Sequence, residues 1–490
     1  MHEDLRRRAL ESKKTVSKKS QTKGSQPSSR ASSRAVSAAN SRPTSRVASR
    51  DVSDDEDDRT YLSDDTNMSI NSIDALLESD DFNEQTTDTL KDDLQACIED
   101  LLERKGSSSK SREDALVTYD RILTSHHFGD VLYGQVENLL KVFLKSVKAE
   151  TTAKETIAAL RAISLTCISI DSVTLYDEVS SVIKRTVSDS QDNTVKAAAI
   201  HSLGICISFG GAGDEEIAEV NTFLLEVVRS DGEFVGAADS AEVVTAASQT
   251  YAFLTTQLED VETESEDAVE ALLEQLSSGE VAVQIAAGEA IALLFEKSYT
   301  PREEDEEEAE ENDENGPKSD ESDSTAAAAA AATTASTTTG DKDLIKRYNA
   351  YHNPAEVLST CLDLANLSTR GLNRTDRKKL HQSFASIAQT IENPRLGLLT
   401  NNASRMKIRI QRQGEIKVDK WWKFLRLQAL RRLLGGGFLN HYFEGNRRLI
   451  EVLPVIVRGS GGLEGVQSPR RGRGGDRYRE GRRFVGLDED

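Results

Sequence analysis

Cysteine is nearly missing from this chain. Four in 490 residues cannot form a disulfide scaffold, which points to a reducing compartment. No apolar run approaches the roughly 18–20 residues a membrane span needs, so an integral membrane protein is excluded. The first residues, Met1–Leu10, are charged and lack the apolar stretch of a secretory signal, so none is expected. Apolar residues are sparse at 37%, and mean hydropathy is −0.49, so much of the length is not core.

Catalytic signatures are missing as well. The phosphate-cradling pattern Gly-x-x-x-x-Gly-Lys-[Ser/Thr] and the nucleophile elbow Gly-x-Ser-x-Gly do not occur. Gly210-Gly-Ala-Gly213 follows a helical pattern rather than a strand, which argues against a nucleotide fingerprint. Cys97, Cys167, Cys206 and Cys361 are far apart on apolar helical faces and read as core residues rather than metal ligands. His126-His127 has no acidic or Cys partner at ligand spacing, and His201 reads as structural. The sequence therefore predicts no catalysis, no cofactor, no metal and no small-molecule substrate.

Charge is abundant but segregated. The net −22 divides into +10 over residues 1–50, −46 in the middle and +14 over residues 370–490. As a sum it argues against nucleic acid; divided along the chain, it leaves two basic ends for a polyanion to meet. Residues 1–85 are Ser/Arg-rich and then acidic. Residues 301–341 join an acidic run, Glu303–Asp323, to Ala326–Ala332 and a Thr-rich patch; residues 459–490 are Arg/Gly-rich. All three lack the apolar content to offset ordering entropy and are expected to be disordered.

The remainder, 86–300 and 342–398, carries helical periodicity. Leu94, Cys97, Ile98, Leu101 and Leu102 follow i, i+3/i+4, i+7/i+8 spacing. Asp114–Leu123, Val131–Val147, Ala153–Ile168 and Leu175–Val187 behave likewise. Val195–Ile207 aligns with Val283–Phe295 at an offset of two units of about 44 residues, the HEAT/armadillo period, with a weaker copy at Thr152–Ser164. Small Ala198, Ala199, Ala286 and Ala287 let helices approach, and Leu203 and Ile291 fill the space between layers. The expected fold is mostly α, an armadillo/HEAT-like α-solenoid with a concave face for protein partners.

Residues 399–458 read as a separate module. Met406–Gln411 and Glu415–Val418 alternate around Gln413-Gly414, predicting a hairpin. A helix then opens near Asp419 as cap and closes at Gly435-Gly-Gly437. Lys420, Lys423 and Arg431 fall on one stripe of it, and with Lys407, Arg409, Arg412 and Lys417 they are candidate phosphate contacts. Trp421-Trp422 reads either as a base-stacking platform or, preferably, as the packing of helix on hairpin. In the tail, Arg470, Arg471, Arg473, Arg477, Arg479, Arg482 and Arg483, with Tyr478 and Phe484, suit RNA contact. Near the other end, Ser33, Ser37, Ser45, Ser49 and Ser53 each follow an Arg by three residues. They form a string of candidate phosphosites able to cancel most of the local +10.

These motifs carry a family resemblance. Ser278–Glu296, Ile200–Gly213, Asn373–Phe384 and Val418–Glu444 are similar, in order, to segments of the interferon-related developmental regulator family. The acidic and poly-Ala insert and the N-terminal tail depart from it. The resemblance implies a non-catalytic solenoid that fits ribosomes or structured RNA, its C-terminal part occupying channels used by mRNA or tRNA, and a cytoplasmic place. The alternative it leaves open is a nuclear transcriptional co-regulator acting as a protein scaffold, for which Arg6-Arg7-Arg8 and Lys13-Lys14 would serve import.

Overall fold

The computed structural model describes residues 84–103, 106–301, 344–366, 373–397, 407–410, 414–453 and 456–457. The N-terminal tail with the five candidate phosphosites, most of the insert and the Arg/Gly tail lie outside the described residues.

Twelve helices form six antiparallel pairs. One layer holds α1 (Glu84–Leu102), α4 (Val136–Ala149), α6 (Leu175–Asp189), α8 (Asp214–Arg229), α10 (Glu262–Gln275) and α12 (Pro354–Ala365). The inner layer holds α2 (Ser109–Ser125), α5 (Ala153–Ser169), α7 (Asn193–Phe209), α9 (Ala241–Thr255), α11 (Val281–Lys297) and α13 (Arg374–Glu392). Each inner helix packs on the next, which makes the array a solenoid. Inner helices begin at Ala153, Asn193, Ala241 and Val281, so α9 is the unit that the Val195/Val283 alignment steps over.

Local chemistry sets the boundaries. Thr152 Oγ1 accepts from Glu155 N–H (3.1 Å), and Asp192 Oδ1 accepts from Thr194 N–H (2.9 Å), each capping an inner helix. The Val131–Val147 pattern is not one helix. Gly134 takes φ +86° and breaks it into the single turn α3 (Gly129–Leu132) and α4, because a left-handed residue cannot continue an α-helix.

Neighbouring units are stitched one period apart. Arg112 Nε meets Glu155 Oε1 at 2.7 Å, Tyr119 and Thr166 share hydroxyls at 2.8 Å, and Ser164 donates to Ser202 at 2.9 Å. The core runs the length of the repeats, with Leu203 and Ile291 fully buried. Each such side chain stabilises the array by about 1.5–3 kcal/mol. Ala199 and Ala287 are buried between layers as expected, and at Gly288 a Cβ would meet Phe384 and Ile387 at about 2.8–2.9 Å. Cys97, Cys167, Cys206 and Cys361 are buried free thiols.

After α11, β1 (Tyr299–Pro301) pairs antiparallel with β2 (Leu344–Lys346), Tyr299 opposite Lys346. Residues 301 and 344, which flank the insert, are thus held opposite one another on adjacent strands. Beyond α13 the predicted hairpin is present as β3 (Lys407–Ile410) and β4 (Gly414–Lys417), with Lys407 opposite Lys417. A third strand, β5 (Ile456–Val457), which the pattern had not announced, pairs with β4. Three helices complete the module: α14 (Trp421–Leu434), α15 (Phe438–Phe443) and α16 (Arg447–Val452).

Candidate functional site

The inner helices run parallel, so α2, α5, α7, α9 and α11 all end on one edge of the solenoid. Each end leaves carbonyls without helical partners and carries the negative pole of the helix dipole. The C-terminal module answers them one after another. At the end of α2, the His441 ring donates to Leu123 O (2.9 Å) and Asn440 donates to Ser125 O (2.9 Å). At α5, Asn446 donates to Ile168 O (3.1 Å); at α7, Arg448 donates to Phe209 O (3.0 Å) and pairs with Asp171. Arg426 reaches the end of α9, donating to Thr256 O (2.7 Å) and Thr256 Oγ1 (2.9 Å), and ties back to Val452 O.

At α11 the direction reverses. The buried Glu296 carboxylate accepts from Trp421 N–H (2.9 Å) and Trp422 N–H (3.3 Å), the first donors of α14. The cap of α14 therefore comes from the repeats and not from Asp419, which instead pairs with Lys423 (2.7 Å). Gly437 shows how tightly the turn after α14 sits. A Cβ there would fall 1.9 Å from Thr124 O of α2.

Between these ends α14 lies along the inner layer. Arg161 of α5 donates to Leu433 O (2.6 Å), Arg432 bonds Gln249 and His201, and Gln428 faces Glu289. A cavity of about 150 Å³ remains under it, lined by Arg161, His201, Thr250, Phe253 and Arg432. The stretch of inner face that the sequence offered to protein partners is thus covered here by the chain's own helix.

Burial dominates the electrostatics of this seam. It raises Glu289 to about 8 and Glu296 to about 7, the latter partly offset by the Trp421 and Trp422 N–H bonds. His441 falls to about 4, chiefly through burial, and His201 is also lowered by burial, helped by Arg432. Arg426 and Arg431 are both lowered to about 10 by the same desolvation. His126-His127, partnerless by sequence spacing, meets Glu444, which accepts from the His127 backbone N–H and pairs with the His126 ring.

The structure redistributes the candidate contacts. Lys407, Arg409 and Lys417 sit on β3 and β4, whereas Arg412 and Arg470 to Arg483 lie outside the described residues. Lys420, Lys423 and Arg431 do not form an open basic stripe. Lys420 donates to Arg395 O (3.2 Å), Lys423 pairs with Asp419 over the Trp422 ring, and Arg431 is desolvated. The reason is that buried positions (Trp421, Phe424, Leu425, Leu427, Ala429, Leu430, Leu433, Leu434) surround α14, so it has no wholly solvated face. Trp421 is 1% exposed and donates its Nε1–H to Thr390 (2.7 Å), so it cannot stack on a base and packs the module onto α13. Trp422 is half-buried beneath the Arg426 and Lys423 cations.

Glu296, Arg426, Asn446 and Arg448 were not anticipated. A signal existed for the first. Glu289 and Glu296 are seven residues apart on one face of a helix that is otherwise apolar between Gln284 and Lys297, and buried carboxylates need partners.

The fold and the seam together define a helical-repeat protein whose inner helices are closed along one edge by its own C-terminal module. The family model of interferon-related developmental regulator (IFRD) matches residues 61–392, and the chain belongs to this family. The match ends with α13, so α14 to α16 lie beyond it. The chain is 29% identical over 362 residues to an uncharacterized protein of Schizosaccharomyces pombe (C20F10.03), covering 72% of each chain. No helix among the described residues is long and apolar enough to cross a membrane.

Proposed function

We propose that this family member is a non-catalytic cytoplasmic regulator that binds ribosomes or structured RNA and modulates translation. The observation that carries the reading is the +14 surplus over residues 370–490, in a chain whose net charge is −22. Because α14 uses its cations internally, the contact falls to the hairpin bearing Lys407, Arg409 and Lys417, to Arg412 beside it and to the Arg/Gly tail. Such contacts are to phosphates, sequence-tolerant and salt-sensitive. A protein partner reaches the inner face only where α14 leaves it open.

Sedimentation of cell extract with and without RNase tests the proposal. Co-migration with ribosomal particles that RNase alters supports it. Migration in nuclear, RNase-insensitive complexes would replace it with the transcriptional scaffold reading.

A further inference from the structure

Two of the four cysteines meet across the repeats. Cys167 on α5 donates its S–H to Cys206 Sγ on α7 at 3.7 Å, and both side chains are fully buried. The two residues lie 39 positions apart, about one repeat, and one turn beyond the Ser164–Ser202 hydroxyl contact on the same helices. Cys97 and Cys361 sit on α1 and α12 instead, and Cys97 donates to Ala115 O (3.2 Å).

As packing, this contact resembles the hydroxyl pair beside it; its chemistry differs. A disulfide needs the two sulfurs about 1.7 Å closer, a shift of side-chain rather than backbone scale. In a reducing compartment such a bond is transient and redox-sensing rather than structural. The hydrogen bond to Cys206 and burial hold the Cys167 thiol well above its ordinary value, while the Arg448 charge works the other way and favours the thiolate. Access is the remaining requirement, because a thiol buried this deeply is inert until the structure opens locally. Both cysteines lie in the last turn of their helices, and the C-terminal module sits on those ends. Asn446 holds the carbonyl of Ile168, next to Cys167, and Arg448 holds that of Phe209, three residues after Cys206.

We propose that Cys167 and Cys206 form a dithiol modification site, oxidised to a disulfide by a peroxide when the C-terminal module lifts from the ends of α5 and α7. The Cys167 thiolate attacks one peroxide oxygen; the O–O bond breaks, hydroxide leaves, and a sulfenic acid forms. The Cys206 sulfur then attacks the Cys167 sulfur; the S–O bond breaks and water leaves with the Cys206 proton. The two thiols together lose two electrons and two protons, and one hydrogen peroxide becomes two waters. The product staples two neighbouring repeats directly beneath the capped edge, and a thiol reductant reverses it.

The test exposes the full chain to hydrogen peroxide without denaturant, then unfolds it in iodoacetamide and counts the free thiols. The count should fall from four to two, with one peptide joining Cys167 to Cys206 in the mass spectrum, and dithiothreitol should restore all four. Asn446→Ala removes a hydrogen bond of the cover but leaves Arg448 in place, so cross-linking should quicken by on the order of tenfold. Cys206→Ser should instead stop Cys167 at the sulfenic acid, where dimedone traps it. Absence of the Cys167–Cys206 peptide from the folded wild-type chain would overturn the site, however the variants fold. So would oxidation of Cys97 and Cys361 at the same rate, which would mean that the whole fold opens. An Asn446→Ala chain with wild-type helix content by circular dichroism and a wild-type rate would overturn the control by the module.

Discussion

Glu296 offers the sharpest test of whether the repeats and the C-terminal module are one structure. Its carboxylate supplies both acceptors for the first N–H groups of α14, and the chain's two tryptophans, Trp421 and Trp422, are the residues it holds. Replacing it by Ala removes a helix cap, costing about 1 kcal/mol. It also strands a buried N–H, for about 1–3 kcal/mol more. A total near 3 kcal/mol corresponds to a fall of roughly 4–6 °C in Tm for a fold of this size. Glu296→Gln behaves differently, and pH exposes the difference. The folded pKa of about 7 lies above the ordinary 4.5, so the native state binds the extra proton between those values. Stability from this group is fully present below 4.5 and lost as pH rises through 7. Gln has no such loss. It should match the wild type near pH 5 and gain on it toward pH 8, by up to about 3 kcal/mol. Urea titrations read by tryptophan fluorescence report the seam, and circular dichroism reports the helices; the two transitions should coincide. A Gln-to-wild-type difference that ignores pH, or a tryptophan transition well before the loss of helix, would refute the idea that this carboxylate joins the two parts.

Two further outcomes follow from the same seam. His441 is held neutral, with Nε2–H on Leu123 O and Nδ1 facing Asn446. Its lowered pKa of about 4 gives stability that is complete above 6.5 and lost as pH falls through 4. His441→Asn should flatten this acid limb by about 1–3 kcal/mol, measured as urea midpoints at pH 4.5 and pH 7; an unchanged limb would remove His441 from the account. Gly437→Ala should cost about 2–3 kcal/mol because its Cβ would press on Thr124 O. Gly279→Ala, with no positive φ and open space at Cβ, should shift stability by less than about 0.5 kcal/mol. Equal thermal shifts for the two would mean that the turn does not rest on α2.

The solenoid was legible because its evidence is local and repeated. A 3.6-residue period sets each helix, and a recurrence near 44 residues sets the stack. The hairpin was legible for a similar reason, since alternation about Gln413-Gly414 fixes the register Lys407 to Lys417. The seam was not. It joins residues some 125 to 320 positions apart, such as Glu296 with Trp421 and His126 with Glu444, and no short-range pattern encodes that partnership. The helical wheel placed Lys420, Lys423 and Arg431 at correct mutual angles but could not show that α14 is enclosed. Reading its apolar positions as surrounding the helix, rather than forming one stripe, would have revealed this. Arg426 and Arg448 looked like ordinary surplus charge because their acceptors are backbone carbonyls, which every sequence possesses.

The β1–β2 pair has an engineering and evolutionary corollary. With Tyr299 opposite Lys346 and Pro301 opposite Leu344, the two ends of the intervening segment are held side by side by the strands, whatever its composition. Lengthening a closed loop adds little entropic cost, about 0.6 kcal/mol for each doubling. The position is therefore a permissive splice point, where sequence can be gained, trimmed or replaced without shifting the register of α11 against α13. A fluorescent reporter grafted there would leave the capped edge undisturbed.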